Sequence, residues 1–134
     1  MKINHMAIVV PELDEAMGFW VEALGLPLDH VAEVPAEEVK VAFLPVGDSA
    51  IELIAPTTED SGVAKYLAKR GAGMHHLCLE VDDIEAALAR LKEAGVPLIN
   101  ETAQVNHEGN LYAFIHPKGT NGVLVELYEL PKEG

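Results

Sequence analysis

The chain has a single cysteine, Cys78, which excludes an internal disulfide and leads us to expect a reducing compartment. Basic residues are also scarce: 9 Lys and Arg stand against 22 Asp and Glu, a formal net charge of -13. A surface that acidic repels phosphate backbones and anionic lipid, so neither nucleic acid nor a membrane is expected as a partner. No apolar run approaches the about 20 residues of a membrane span. The opening MKINHMAIVV runs directly into a strand-like pattern without a signal or transit segment, and a cytoplasmic location is expected. Core-forming residues are plentiful. Hydrophobic residues are 49% and charged residues 23% of 134, which supports one folded domain and argues against disorder.

The chain repeats itself. His5, Ala16, Glu22 and Ala23 pair with His76, Ala87, Glu93 and Ala94, all 71 residues apart. One residue is then dropped, and Gly25-Leu26-Pro27-Leu28 pairs with Gly95-Val96-Pro97-Leu98. Ala42-Phe43-Leu44 matches Ala113-Phe114-Ile115, and Ile51-Glu52-Leu53-Ile54 matches Val125-Glu126-Leu127-Tyr128. The period is too long for a solenoid and has only two copies, so two half-domains related by a pseudo-twofold are expected. The expected organisation is a single domain over 1–134, with half-repeats 1–56 and 73–130 joined by a short helix over 60–71.

Each half reads as a strand, a helix and then further strands. Residues 2–10 form the first strand, and apolar positions 13, 16, 17, 20, 21 and 24 then make a helical stripe closed by Gly25. In the second half, 74–81 is the strand. Asp82 with Glu85 forms a capping box, apolar positions 84, 87, 88 and 91 follow, and Gly95 stops the helix. Further strands are expected near 39–46, 50–55, 98–105, 111–115 and 122–129. Asp60 or Ser61 caps the linking helix, which carries Lys65 and ends in Lys69, Arg70 and Gly71.

Strand side chains alternate faces. Met6, Ile8 and Val10, like His75, Leu77, Leu79 and Val81, form the set that meets the helix stripe. His5 and His76 therefore point to the opposite, inner surface, where Cys78 is a small apolar filler. The repeat also separates the adjacent histidines, because His76 answers to His5 and His75 to Asn4. Glu52 and Glu126 each sit among apolar strand residues, and a lone buried carboxylate costs several kcal/mol. Taken singly, a strand histidine is more often a hydrogen-bonded structural residue, and a strand glutamate is more often solvated or ion-paired. One His and one Glu at matching positions of both halves instead point to a divalent cation held by two imidazoles and two carboxylates. That donor set suits Zn, Mn, Co, Ni or Fe better than Ca.

At these residues the sequence resembles the vicinal oxygen chelate superfamily, and within it the methylmalonyl-CoA epimerase family. The stretches that carry the resemblance are IELIAPTTEDSGVAKYLAKRGAGMHHLCLEVDDIEAAL, residues 51–88, and AFIHPKGTNGVLVELYE, residues 113–129. It implies an α+β fold of paired βαβββ modules, a mixed sheet curled around a metal site with helices on the outer face. It also implies a metal held by His5, Glu52, His76 and Glu126, the four residues the repeat selects. The ion would be one divalent transition metal, cobalt first, with zinc, manganese or nickel as alternatives. The implied activity is interconversion of the (2R) and (2S) epimers of methylmalonyl-CoA through an enolate, by a homodimer acting on an acyl-CoA substrate. Glu126 would serve as both ligand and one base. The family's second glutamate falls on Lys40 by alignment, with Glu37 and Glu38 nearby.

His116 and Lys118, in the turn HPKGTNG, would meet the acyl carboxylate or the CoA phosphates; the competing reading is a purely structural turn. Lys65, Lys69 and Arg70 could attract the anionic CoA or merely favour the helix C-terminus. Binding one divalent ion would change the formal charge from -13 to -11 (adding +2), still acidic. Other readings remain: a glyoxalase-type isomerase or thiol transferase, an iron dioxygenase with two His and one carboxylate, or a metal-free small-molecule-binding protein of the same architecture.

Overall fold

The computed structural model describes residues 1–131. The last three residues of the expected 1–134 domain lie outside the described residues. The chain divides into two compact units, His5–His75 and Met1–Asn4 with the chain from His76 onward.

In the first unit, β1 (Lys2–Val9) leads into α1 (Leu13–Met17), which winds on as a π-helix over Gly18–Ala23. Strands β2 (His30–Val34), β3 (Val39–Val46) and β4 (Ser49–Pro56) follow, and then α2 (Gly62–Arg70). The strands run in the order β2-β3-β4-β1, with β4 antiparallel to β3 and parallel to β1. The second unit repeats this plan with β5 (Gly73–Glu80), α3 (Ile84–Glu93), β6 (Gln104–Val105), β7 (Leu111–Ile115) and β8 (Val125–Glu129). Its order is β6-β7-β8-β5, again with the last strand parallel to the first. Both are βαβββ modules, as expected. Among the described residues no helix is long and apolar enough to cross a membrane.

The alternation expected along β1 and β5 is present. Ile8 and Val10 pack with Leu13, Ala16, Met17, Trp20 and Val21, joined by Leu44 and Leu53. Leu79 and Val81 pack with Ile84, Leu88 and Leu91 beside Leu127. His5, Ala7 and Val9, and likewise His76 and Cys78, are buried on the other face. The linking helix α2, which has no counterpart in the repeat, sets Val63 against Val39, Val41, Phe43 and Ile54 on that other face of the first unit. Of its two expected caps, Ser61 is the one observed: its hydroxyl accepts the Ala64 N–H at 2.9 Å.

Four expectations need correction. The first helix does not keep its α phase. The N–H of Leu24 bonds the carbonyl of Phe19 and the N–H of Leu26 that of Trp20, a wider winding than the i→i−4 ladder. Leu24, expected on the buried stripe, is therefore exposed, and Leu26 packs into the core in its place. The π-helix falls where the first copy carries one residue more than the second. The cap of α3 is Asp83, not Asp82, with its carboxylate accepting the Ala86 N–H at 3.1 Å. The strand expected over 98–105 reduces to β6 and a bridge at Leu98, because Ile99 and Asn100 both donate to the Phe114 carbonyl while the Asn100 side chain takes the Phe114 N–H. Finally, the strand that the βαβββ plan requires before β3 takes His30–Val34, where the residue pattern placed none.

Candidate metal centre

In the first unit, register places Glu52 beside Ala7 on one side and Phe43 on the other. In the second, it places Glu126 beside Cys78 and Phe114. The two rows are equivalent under the repeat, and each has its histidine two residues upstream on the same face. Side chains on that face meet: His5 Nδ1 lies 3.1 Å from Glu52 Oε2, and His76 Nε2 lies 3.2 Å from Glu126 Oε1. His5, His76 and Glu126 are buried, and Glu52 is nearly so. The Phe114 ring meets His76 edge-on, 5.5 Å between centroids, which limits how the imidazole can turn.

Two atoms bound at right angles to one first-row cation, each about 2.1 Å away, stand about 3.0 Å apart. The imidazole nitrogen and carboxylate oxygen of each pair stand at about this separation, so each pair is already at ligand spacing. Imidazole nitrogen with carboxylate oxygen is a donor set for first-row transition ions, and the residues present fit such a group.

His75, beside His76 in sequence, turns instead to the linking helix, where its ring meets Tyr66 edge-on at 4.8 Å. Lys40 shares the helix-side face with Ala42 and Leu44, away from Glu52, and its ammonium pairs with Glu33 at 3.7 Å. Glu37 is exposed, and Glu38 takes the left-handed conformation (φ 56°) at the turn into β3. His116 caps a short turn, Pro117–Gly119, through Nδ1, which accepts the Lys118 N–H at 3.0 Å. That turn is seated on Pro97: His116 N–H donates to the Pro97 carbonyl at 3.0 Å, and a Cβ on Gly119 would lie 2.9 Å from Pro97 Cδ. Both His116 and Lys118 are exposed.

Two polar groups escape the sequence reading. Tyr128, on the Glu126 face of β8, accepts hydrogen bonds from the side-chain amides of Asn106 at 2.7 Å and Asn110 at 2.8 Å. Burial pushes its phenol above the usual value; the two amides pull it down, and the charges of Glu108 and Glu126 push it up. The other is His30, stacked on Phe43 at 4.4 Å with Nδ1 2.6 Å from Asp29 Oδ2. Only recognition of β2 would have placed it.

Two βαβββ modules, each with a buried His/Glu pair, are the frame of a metal-binding superfamily, and residues 4–114 match that of the glyoxalases, bleomycin resistance proteins and dioxygenases. The chain is 39% identical over 127 residues to the mitochondrial methylmalonyl-CoA epimerase of Mus musculus, spanning 94% of this chain and 71% of that one. It is also 39% identical over 131 residues to the ethylmalonyl-CoA/methylmalonyl-CoA epimerase of Cereibacter sphaeroides, spanning 96% and 98%. The crystal structure of methylmalonyl-CoA epimerase from Mycobacterium tuberculosis superposes with a TM-score of 0.85 at 37% identity, covering 98% of this chain and 89% of that one. The chain belongs to the methylmalonyl-CoA epimerase family of this superfamily.

Proposed function

We propose that this chain is an epimerase that interconverts (2R)- and (2S)-methylmalonyl-CoA in a metal-dependent reaction. The observation that carries the reading is the buried His–Glu contact made twice at equivalent register, 3.1 Å in one module and 3.2 Å in the other. His5, Glu52, His76 and Glu126 together hold one divalent transition ion, cobalt first, with zinc, manganese or nickel able to take the same donors. When bound, the ion supplies Lewis acidity against the negative charge that develops on the thioester oxygen as the α-proton leaves.

The protein's own groups do the rest. Glu126, fixed by the β8 ladder and by Phe114 across from it, moves the proton on one face of the planar enolate. Inversion requires a second group on the other face. The His116 ring, with Nδ1 taken by the Lys118 N–H, carries its proton on Nε2, so it and the Lys118 ammonium can donate to the acyl carboxylate or the CoA phosphates. The two half-repeats act as one domain, in a cytoplasmic homodimer.

Incubation of metal-loaded protein with methylmalonyl-CoA in heavy water tests this. Deuterium at C2 and about one divalent ion per chain are expected. Substrate that stays unlabelled after long incubation would refute the epimerase.

A further inference from the structure

Helix α2 has no counterpart in the repeat, and it concentrates positive charge in a chain of net charge -13. Lys65, Lys69 and Arg70 are three of the nine basic residues, they fall within six positions, and the helix GVAKYLAKR holds no acid. All three are exposed. Lys2 and Lys40 meet carboxylates at 3.9 and 3.7 Å, whereas among the described residues these three make no ion pair. Glu59 and Asp60 lie ahead of the Ser61 cap, at the other end of the helix. The negative end of the helix favours Lys69 and Arg70, but Lys65 lies outside the last turn, and lysines four apart repel each other. A ridge of this kind fits an anionic ligand.

Arg70 is also held in place. Its guanidinium lies over the Tyr66 ring, 5.7 Å from the centroid. The Tyr66 hydroxyl donates to the Met74 carbonyl at 3.3 Å, and the ring meets His75 edge-on, so the platform under Arg70 is fixed from two sides. A guanidinium stacked by its face keeps its edge N–H groups for a phosphate, in the paired geometry that lysine lacks. Lys65 with Lys69, and Tyr66 with Arg70, form two adjacent rows along the helix. Val63 seats that helix on Val39, Val41, Phe43 and Ile54, and Phe43 is the register partner of Glu52. The ridge is therefore attached to the face of the first unit that presents Glu52, with Arg70 about 10 Å along the axis from Val63.

We propose that Lys65, Lys69 and Arg70 are the site for the phosphates of the CoA moiety, with Tyr66 as the positioning residue of Arg70; this rests on the epimerase reading. An acyl-CoA carries its reacting carbon and its phosphates at opposite ends of a flexible arm. The acidic surface repels the phosphate end, and the ridge offsets that repulsion locally. It holds a part of the substrate that the reaction leaves unchanged, so it lowers KM and not the barrier from bound substrate.

Rates are measured with methylmalonyl-CoA and with methylmalonyl-pantetheine, which lacks the phosphates. With Lys65→Gln, Lys69→Gln and Arg70→Gln combined, KM for the CoA ester should rise about tenfold or more while kcat stays within about twofold. Both constants for the pantetheine ester should match wild type. Tyr66→Leu should raise the CoA-ester KM about threefold, and should add nothing on top of Arg70→Gln. Calorimetry with adenosine 3′,5′-bisphosphate should show binding by wild type that weakens with salt and is lost in the triple variant. An unchanged CoA-ester KM in the triple variant, equal rises for both esters, or loss of the phosphate contribution through Lys118→Gln alone would overturn the assignment. Wild type that binds the bisphosphate through α2 but labels neither epimer in heavy water would sink the epimerase reading and leave the phosphate site standing.

Discussion

The carboxylate of Glu129, at the end of β8, accepts the backbone N–H of Ile84, the first residue of α3, at 2.9 Å. With Asp83 on the Ala86 N–H, two carboxylates serve the positive end of one helix, and both satisfy donors that the helix itself cannot. Glu129→Ala is expected to cost about 1 kcal/mol and lower the melting temperature by about 3–5 °C without changing metal content. A variant that melts with wild type would mean water replaces the bond at no cost.

His75 and His76 are neighbours with different partners, Tyr66 for one and Glu126 for the other. His76→Ala is expected to abolish stoichiometric metal, measured by elemental analysis of the purified protein. His75→Ala should keep the metal and lose about 1 kcal/mol of stability through the Tyr66 contact. The reverse pattern would mean that the faces of β5 are wrongly assigned.

Lys40 pairs with Glu33 on the helix side of β3. Lys40→Ala should therefore leave the epimerisation rate unchanged and shift stability by less than about 0.5 kcal/mol. A 100-fold fall in rate would return Lys40 to the catalytic face.

Tyr128 gives a pH dependence. Burial raises its phenol above the ordinary 10.0, so the folded chain keeps the proton to higher pH than the unfolded chain does. Its contribution is intact below pH 10.0 and is lost as pH rises from there through the folded value. In alkaline melts the wild type should lose stability more steeply than Tyr128→Phe; parallel curves would exclude the effect.

The repeat made the His–Glu pairs legible, because equivalent strands carry equivalent registers whatever their loops do: Glu52 and Glu126 are 74 apart, yet each faces its phenylalanine 71 apart. What escaped was decided by contacts that leave no periodic trace. Asp82 and Asp83 are chemically identical, and only backbone direction at Asp83 (φ −143°) selects the cap. His30 sits in a short edge strand whose pattern, HVAEV, gains meaning only once β3 lies beside it. The segment after Pro97 reads as a strand, but the Asn100 side chain replaces the ladder there.

The widened turn at Gly18–Ala23 has a consequence for how this chain tolerates change in length. A residue gained in a loop moves whatever follows it, whereas here the surplus is stored inside a helix, and both flanking strands keep their places. Deleting Leu24, whose side chain is largely exposed, should relax the coil to ordinary α geometry and yield a shortened protein that still folds and melts cooperatively.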